Sequence, residues 1–158
     1  MIALFALWFA AAFPSESKTS WMRPQSFHLA IGMNRGETMK ALQSKGWKPK
    51  KGDKPDEVVL DYADDKTLTM VFGGDRLESI RFELFMILHD AHTAFEEEKI
   101  YLRSSLGPPK KLKSESILLY DNKLPNIMVV LSADPKSQQG QKGVGMLVVR
   151  YFDPLRTR

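Results

Sequence analysis

Two histidines and a glutamate near the middle of the chain are the residues whose types and spacing come closest to a chemical site. His89 and His92 lie three positions apart, and Glu96 follows about one helical turn later. Two imidazoles and a carboxylate are ligands that zinc accepts. In the alternative reading, His89 ends a strand and His92 lies on the surface of the first turn of a helix. We favour this alternative and predict no metal site.

The other sequence motifs do not indicate a catalytic site either. Asp61, Asp64 and Asp65 lack the spacing of an EF-hand, so we interpret them as a solvated hairpin turn. The glycines at positions 140, 143 and 145 are not followed by the Lys-Ser/Thr pair of a phosphate loop. The chain has no cysteine, which excludes disulfides, thiolate catalysis and cysteine-bound zinc. We therefore predict no catalytic residue and no cofactor, with an enzyme of unrecognised site as an open alternative.

Basic residues are the remaining candidates for a site. The candidate binding residues are Lys50, Lys51, Lys110, Lys111, Arg81 and Arg150. The four lysines follow two predicted helices and could contact anionic lipid, glycan or an acidic protein. A formal net charge of +4 and an isoelectric point of about 9.3 allow such contact but fall short of a dedicated nucleic-acid binder. The alternative is that these lysines lie in solvated loops.

The first residues of the chain have the pattern of an export signal. An unbroken apolar run covers residues 2–13 and would form a helix of about 18 Å, too short for a hydrocarbon core of about 30 Å. Ala10 and Ala12 supply the small residues that signal cleavage before Phe13 requires. We predict a signal peptide over residues 1–12 and a flexible lead-in over residues 13–26, in a periplasmic or secreted protein. An uncleaved anchor and a buried N-terminal helix are the alternatives.

One segment of the chain occurs twice. Residues 41–51 and 101–111 match without a gap at five positions: Leu42/Leu102, Ser44/Ser104, Pro49/Pro109, Lys50/Lys110 and Lys51/Lys111. Each copy has the pattern of a helix end, a glycine stop and a Pro-Lys exit, which indicates a repeated unit of helix and strands. We predict one compact domain that consists of two such units, residues 27–88 and 89–153.

Capping and alternation signals locate the elements of the two units. Asn34 with Glu37 has the form of a capping box, and Asp90 can cap the second helix. The predicted helices cover residues 35–45 and 90–106. The predicted strands cover residues 58–62, 68–72, 77–88, 117–120, 127–131 and 146–152. A short strand or an extended approach is also expected over residues 27–31.

The predicted fold class is α+β, with two tandem helix-plus-three-strand antiparallel meander units forming one sheet with helices on one face. Because one helix and three strands cannot cover both faces of a sheet, the other face is expected to be open. Aligning the units places Tyr120 on Tyr62 and Arg150 on Arg81. A polar insertion over residues 132–145 separates the last two strands and is either functional or a tolerated loop.

The tandem units and the residues at two helix ends resemble a known group of proteins. The helix start with Gly32, Met33 and Glu37, and the helix exit over residues 106–109, are similar to those of the secreted β-lactamase inhibitory protein and the SmpA/OmlA outer-membrane assembly lipoproteins. This resemblance, which covers about residues 30–152, implies a small exported, non-enzymatic protein that binds other proteins. The chain departs from the group in lacking the lipidated cysteine and single unit of the lipoproteins and the disulfides of the inhibitor, so no interface residue is transferred.

The predicted function follows from these expectations. We predict an exported binding or adaptor protein of the cell envelope, which acts through the open sheet face and loops on another envelope or secreted protein. The alternatives are a binder of anionic lipid or polysaccharide and an enzyme with an unrecognised site. We expect a monomer, no nucleic-acid partner, and at most weak contact with anionic surfaces.

Overall fold

The computed structural model describes residues 17–110, 116–121, 125–133 and 143–156. This part of the chain forms an α+β fold with one antiparallel sheet and two α-helices, as predicted. The strands are β1 (Lys50–Lys51), β2 (Glu57–Ala63), β3 (Lys66–Gly73), β4 (Arg76–Ile87), β5 (Ile117–Tyr120), β6 (Asn126–Ala133) and β7 (Val144–Phe152). The helices are α1 (Arg35–Gln43) and α2 (Leu88–Leu106), and a 3-10 helix spans Pro24–Phe27.

The seven strands are arranged in the order β1-β2-β3-β4-β7-β6-β5. Strands β4 and β7 therefore lie at the centre of the sheet, where they pair antiparallel along nine residues of each. Arg81 and Arg150, which the sequence alignment matched, lie directly opposite each other in this pair. The sheet has one strand more than predicted, because Lys50 and Lys51 pair with β2 as a short edge strand.

Alternation along the strands divides the sheet into a buried face and an open face. On the buried face, β3, β4 and β7 contribute the fully buried side chains of Leu68, Phe82 and Val149. Both helices contribute to the same core, α1 through Leu42 and α2 through Phe95 and its neighbours. The helices thus lie on one face, as predicted. No helix in the described ranges has the length and apolar character needed to cross a membrane.

Helix α1 begins as the sequence predicted. The Asn34 side chain accepts a hydrogen bond from the Glu37 amide at 2.8 Å, and the Glu37 carboxylate accepts one from the Asn34 amide at 3.3 Å. The helix ends at Gln43, two residues before the predicted end at Lys45. The turn then closes at Gly46, whose positive φ of 77° is the left-handed conformation expected after a helix.

Helix α2 begins earlier than predicted and without a side-chain cap. Its first residue, Leu88, follows β4 directly, and the Leu88 amide donates to the Gly143 carbonyl at 2.6 Å. That carbonyl satisfies one otherwise unpaired helical amide. Because the helix begins at Leu88, Asp90 lies inside its first turn and is not the cap residue. Asp90 instead forms an ion pair with Lys18 at 3.2 Å.

Residues 17–31, here called the strap, form part of the packed domain. The sequence placed residues 17–26 in a flexible lead-in, but Met22 is completely buried and the ring of Phe27 packs on those of Trp47, Tyr62 and Phe82. The physical reason is that these apolar side chains fill core space on the buried face that two helices leave uncovered. Residues 1–16, which contain the predicted signal peptide, lie outside the described residues.

Polar contacts fasten the strap to the rest of the domain. Arg23 forms an ion pair at 2.7 Å with Glu98 of α2, whose side chain is completely buried. The Tyr151 hydroxyl donates a hydrogen bond to the Met22 carbonyl at 3.1 Å. The sequence predicted a short strand or an extended approach over residues 27–31. No strand forms there, because the chain leaves the 3-10 helix through a left-handed residue, His28. The strap is therefore an irregular segment held by packing and by buried polar contacts.

Gly145 of β7 lies directly beneath the first turn of α2. A β-carbon at this position would come within 2.6 Å of the Ala91 β-carbon and 3.2 Å of the Leu88 α-carbon. We expect Gly145→Ala to lower the free energy of unfolding by about 1–3 kcal/mol, because the helix must move away from the strand. Urea unfolding measures the change. In an Ala91→Gly background, Gly145→Ala should lower the free energy of unfolding by less. Equal losses in the two backgrounds would contradict the close packing of Gly145 against Ala91.

Candidate functional site

The open face of the sheet has two unlike halves that meet at the β4–β7 pair. The polar half, on β2, β3 and the start of β4, carries Glu57, Asp61, Thr67, Arg81 and Glu83, together with the buried Thr69 and two valines, Val59 and Val71. The apolar half, on the end of β4 and on β5, β6 and β7, presents Phe85, Ile87, Ile117, Leu119, Met128, Val130, Val144, Met146, Val148 and Phe152. No described element covers either half.

The apolar half is continuous across four strands. Phe85 lies opposite Met146, and Val148 lies opposite Val130, which in turn lies opposite Ile117. The Phe85 side chain is 42% exposed although its neighbours on the same face are apolar. Of these ten residues three are exposed, six are half-buried and one, Val148, is buried at 8% exposure. A contiguous, partly exposed apolar surface of this kind is typical of a site where another molecule docks.

The centre of the open face is occupied by the Arg81–Arg150 pair. Arg81 forms an ion pair with Glu83 at 3.5 Å. The Nε of Arg150 donates a hydrogen bond to the Ser79 hydroxyl at 2.8 Å, and its guanidinium carbon lies 5.2 Å from the centre of the Phe152 ring. Burial and, second, the neighbouring charge of Arg81 lower the pKa of Arg150. Two like charges are thus held together at the border of the two halves.

The structure brings three predicted site residues together on the polar half. Lys50, Lys51 and Arg81 line a shallow hollow of about 280 Å³. Arg81 also lines a neighbouring hollow of about 340 Å³ together with Arg150. Lys110 lies at the opposite edge of the sheet, where its amide donates to the Leu119 carbonyl at 2.8 Å. The six residues therefore form no single basic patch, and Lys111 lies outside the described residues.

Two of the predicted lysines are paired with aspartates. Lys50 forms an ion pair with Asp61, and Lys110 forms one with Asp121. The hydrogen bond from Lys110 lowers the pKa of Asp121. Because each lysine has an adjacent carboxylate, the attraction of these edges for an anionic surface is reduced.

The other sequence candidates are not gathered into a site. His89 and His92 are exposed on the first turns of α2. Within the described ranges, no group of three or more metal-ligating side chains is close enough to hold an ion. Asp61 is engaged with Lys50, and most of the glycine-containing insertion, residues 134–142, lies outside the described residues.

A cavity larger than these two hollows lies on the other side of the sheet, between the strap and the ends of β6 and β7. It has a volume of about 470 Å³, with Leu29, Ile31, Leu77 and Ile127 among its apolar walls. Its charged residues are Arg76, Glu78, Asp153 and Arg156. Arg156 pairs with Glu78 at 3.9 Å and with Asp153 at 3.7 Å. The cavity therefore combines apolar walls with ion pairs that hold the C-terminal turn against the sheet.

The sequence contains a signal for the apolar half, namely runs of apolar residues that interrupt the alternation of the strands. A strand that is buried on one face and exposed to water on the other alternates between apolar and polar residues. In contrast, residues 117–119, 127–131 and 146–149 are apolar without interruption. Such runs are expected when both faces of a strand contact apolar surroundings, so they indicate a second apolar surface on β5, β6 and β7.

Comparisons with known proteins match this chain to no protein-family model, no curated protein and no solved structure. The resemblance to the inhibitor and lipoprotein group therefore stays a prediction.

Proposed function

We propose that this chain is an exported, monomeric binding or adaptor protein of the cell envelope that docks another protein on the apolar half of its open sheet face. The observation that carries the proposal is the continuous apolar surface on β4, β5, β6 and β7. Contiguous exposed apolar surfaces mark interaction sites more often than they occur without a partner. The alternative of an anionic-surface binder has less support, because Lys50 and Lys110 are paired with aspartates.

We further propose that the domain is a duplicated unit of one helix and three strands. The ion pair Lys50–Asp61 has a counterpart in Lys110–Asp121. The two lysines are sixty positions apart in the sequence, and so are the two aspartates. The backbone partners of the two lysines, Val59 and Leu119, have the same separation. Equivalent contacts at a constant separation are what a repeated supersecondary unit produces.

The registers of the strands support the same proposal and indicate where the two units differ. Thr69 lies opposite Arg81, and Met128 lies opposite Arg150. At another equivalent pair of positions, Glu57 lies opposite Val71, whereas Ile117 lies opposite Val130. At two positions the second unit thus carries an apolar residue where the first carries a polar one, whereas both units carry valine at the position opposite Glu57 and Ile117. This difference supports a binding role for the second half of the face.

The docking proposal predicts a large effect of one charge on the apolar half. We expect Phe85→Glu to weaken partner binding at least about tenfold, because a docked partner would have to bury the new carboxylate. The partner is first identified by photo-crosslinking from position 85 in the organism's own envelope. The purified partner is then titrated by calorimetry against the wild-type chain and the variant.

Ile100→Glu is the matched control for this experiment. Ile100 is an apolar residue of α2 that is 66% exposed on the helical side of the domain, away from the apolar half. The Ile100→Glu variant should leave partner binding unchanged. Equal losses for the two variants, or a crosslink only to a second copy of this chain, would contradict the proposal.

The proposed export is tested by sequencing the N-terminus of the mature chain. A chain isolated from the envelope or the medium should begin at Phe13 or shortly after it, since Ala10 and Ala12 precede that bond. A chain recovered from the cytoplasm that begins at its first residue would contradict export without affecting the docking site.

A further inference from the structure

Arg150 differs from the other cations of the open face in lacking an acidic partner. It lies directly opposite Arg81, and its Nε is engaged by the hydroxyl of Ser79, which is completely buried. Among the residues that the structure describes, no carboxylate forms an ion pair with Arg150. The guanidinium therefore keeps terminal N–H groups for which these residues provide no charged acceptor.

The cations around Arg150 have partners of their own. Arg150 lines the hollow of about 340 Å³ with three other cations. Each of these is paired with a carboxylate: Lys54 with Glu57 at 3.7 Å, Arg81 with Glu83 at 3.5 Å, and Arg156 with Glu78 at 3.9 Å. Among the described residues, Arg150 is thus the one of these four cations that forms no ion pair, and Asp56 is the one carboxylate of the hollow that forms none.

Holding Arg150 in this position has an electrostatic cost. A half-buried guanidinium loses part of its hydration, and Arg81 repels it across the strand pair. A bound anion would reduce both costs, because it would neutralise the repulsion and accept the terminal N–H groups. The arrangement is therefore one that an anionic ligand stabilises.

The surroundings of Arg150 favour a single carboxylate over a polyanion. Three acidic residues, Asp56, Glu57 and Glu78, line the same hollow and repel any anion there, most strongly a ligand with several negative charges. On its other side Arg150 lies opposite Met128, and the ring of Phe152 is close by. A ligand at this point would thus meet one positive charge and an apolar surface.

We propose that Arg150, with Arg81 beside it, binds one side-chain carboxylate in an apolar segment of the partner protein. The planar guanidinium can hold a carboxylate through two parallel N–H···O bonds, which fixes the segment in one register on the sheet. This inference rests on the proposed docking function and assigns the partner a chemical character, an apolar segment with an acidic residue.

The carboxylate site is tested with small probes that need no identified partner. The purified chain, labelled at the methionine methyl groups and the arginine Nε atoms, is titrated by NMR at constant ionic strength with hexanoate, hexanamide, acetate or phosphate. We expect the Arg150 Nε and Met128 methyl signals to shift and saturate with hexanoate. The hexanoate concentration that gives half of the shift should be at least about tenfold lower than that of acetate. Hexanamide, which has the same apolar tail without the charge, should shift the Arg150 signal much less.

Two variants separate the contribution of Arg150 from that of net charge. Arg150→Gln should reduce the hexanoate-induced shift of the Met128 methyl group to the level that hexanamide gives. Arg103→Gln, which removes the same charge from an exposed position on α2, should leave that shift unchanged.

Each contrary outcome overturns a defined part of the inference. Equal shifts with hexanoate and hexanamide would exclude carboxylate recognition while leaving apolar docking intact. Equal affinity for acetate and hexanoate would exclude the apolar neighbour, and preference for phosphate would exclude the carboxylate. Selective hexanoate binding combined with full partner binding by Phe85→Glu would leave a carboxylate site and contradict the docking function.

Discussion

Replacing Arg23 with methionine is expected to lower the free energy of unfolding at neutral pH by about 3–5 kcal/mol. The substitution keeps most of the apolar stem of the side chain but removes the cation that faces Glu98 at 2.7 Å. Because the Glu98 side chain has no exposed surface, its negative charge would remain buried without a partner. Chemical denaturation at pH 7 measures the change.

The effect of Arg23→Met should depend on pH in a defined direction. Burial raises the pKa of Glu98 above its ordinary value, and the charge of Arg23 only partly opposes this shift. The folded state therefore holds the proton more tightly than the unfolded state, so the contribution of Glu98 to stability is greatest below pH about 4.5 and is lost as the pH rises through the folded-state pKa. Without Arg23 the pKa rises further, and the cost of the substitution should shrink as the pH is lowered from 7 to 5.

Lys18→Met is the matched control for Arg23→Met. Lys18 also pairs with an acidic residue of α2, Asp90, but the two side chains are 54% and 37% exposed. Lys18→Met should therefore lower the free energy of unfolding by less than about 1 kcal/mol. Adding Glu98→Leu to Arg23→Met should restore much of the lost stability, because it removes the unpaired charge. Equal costs for the Arg23 and Lys18 variants at pH 7 would contradict the buried ion pair.

Phe27→Ala is expected to lower the free energy of unfolding by a similar amount, about 3–5 kcal/mol. The Phe27 ring is 1% exposed and lies 4.7 Å from the Trp47 ring and 5.3 Å from the Tyr62 ring, measured between centroids. Removing it leaves a cavity beneath the strap and separates the two aromatic side chains from their common neighbour. Thermal and urea unfolding measure the loss.

Gln25→Ala provides the comparison for Phe27→Ala, because Gln25 is an exposed residue of the same 3-10 helix. This substitution should change stability by less than about 0.5 kcal/mol. If Phe27→Ala cost no more than Gln25→Ala, the strap would be detachable from the domain, like the flexible lead-in that the sequence predicted over residues 13–26.

The elements that the sequence predicted well are those with local signals. The capping box of Asn34 and Glu37 depends on residues three positions apart, and strand β5 has the predicted ends. The strap was missed because its order comes from residues far along the chain, such as Glu98 and Tyr151. Its polar residues and prolines indicate a loop when only neighbours are considered.

Register is a second property that the sequence did not determine. Aligning the two units by residue type matched Tyr120 with Tyr62. In the sheet, Tyr120 lies opposite Ile127, whereas the residue opposite Leu68 is Leu60. Under the proposed duplication Tyr120 therefore corresponds to Leu60, and both are buried in the core, whereas Tyr62 lies two residues farther along β2. Only the pairing partners, which are distant in sequence, resolve such an ambiguity.

The candidate site was predicted in part. The sequence predicted an open sheet face, but its search for a binding site emphasised positive charge. It did not indicate that Lys50 and Lys110 would find aspartates or that the apolar residues would join across β4, β5, β6 and β7. Both outcomes depend on strand order, which the pattern within any one strand does not contain.

The central position of β7 has a consequence for biosynthesis. Strand β4 gains its second neighbour only after residues 144–152 have left the ribosome, so the middle of the sheet cannot close while the nascent chain is still short. Contacts between such distant segments also slow folding, since a long loop must be ordered first. If the chain is exported as we propose, slow closure of the sheet would help it to pass a translocation channel before it folds.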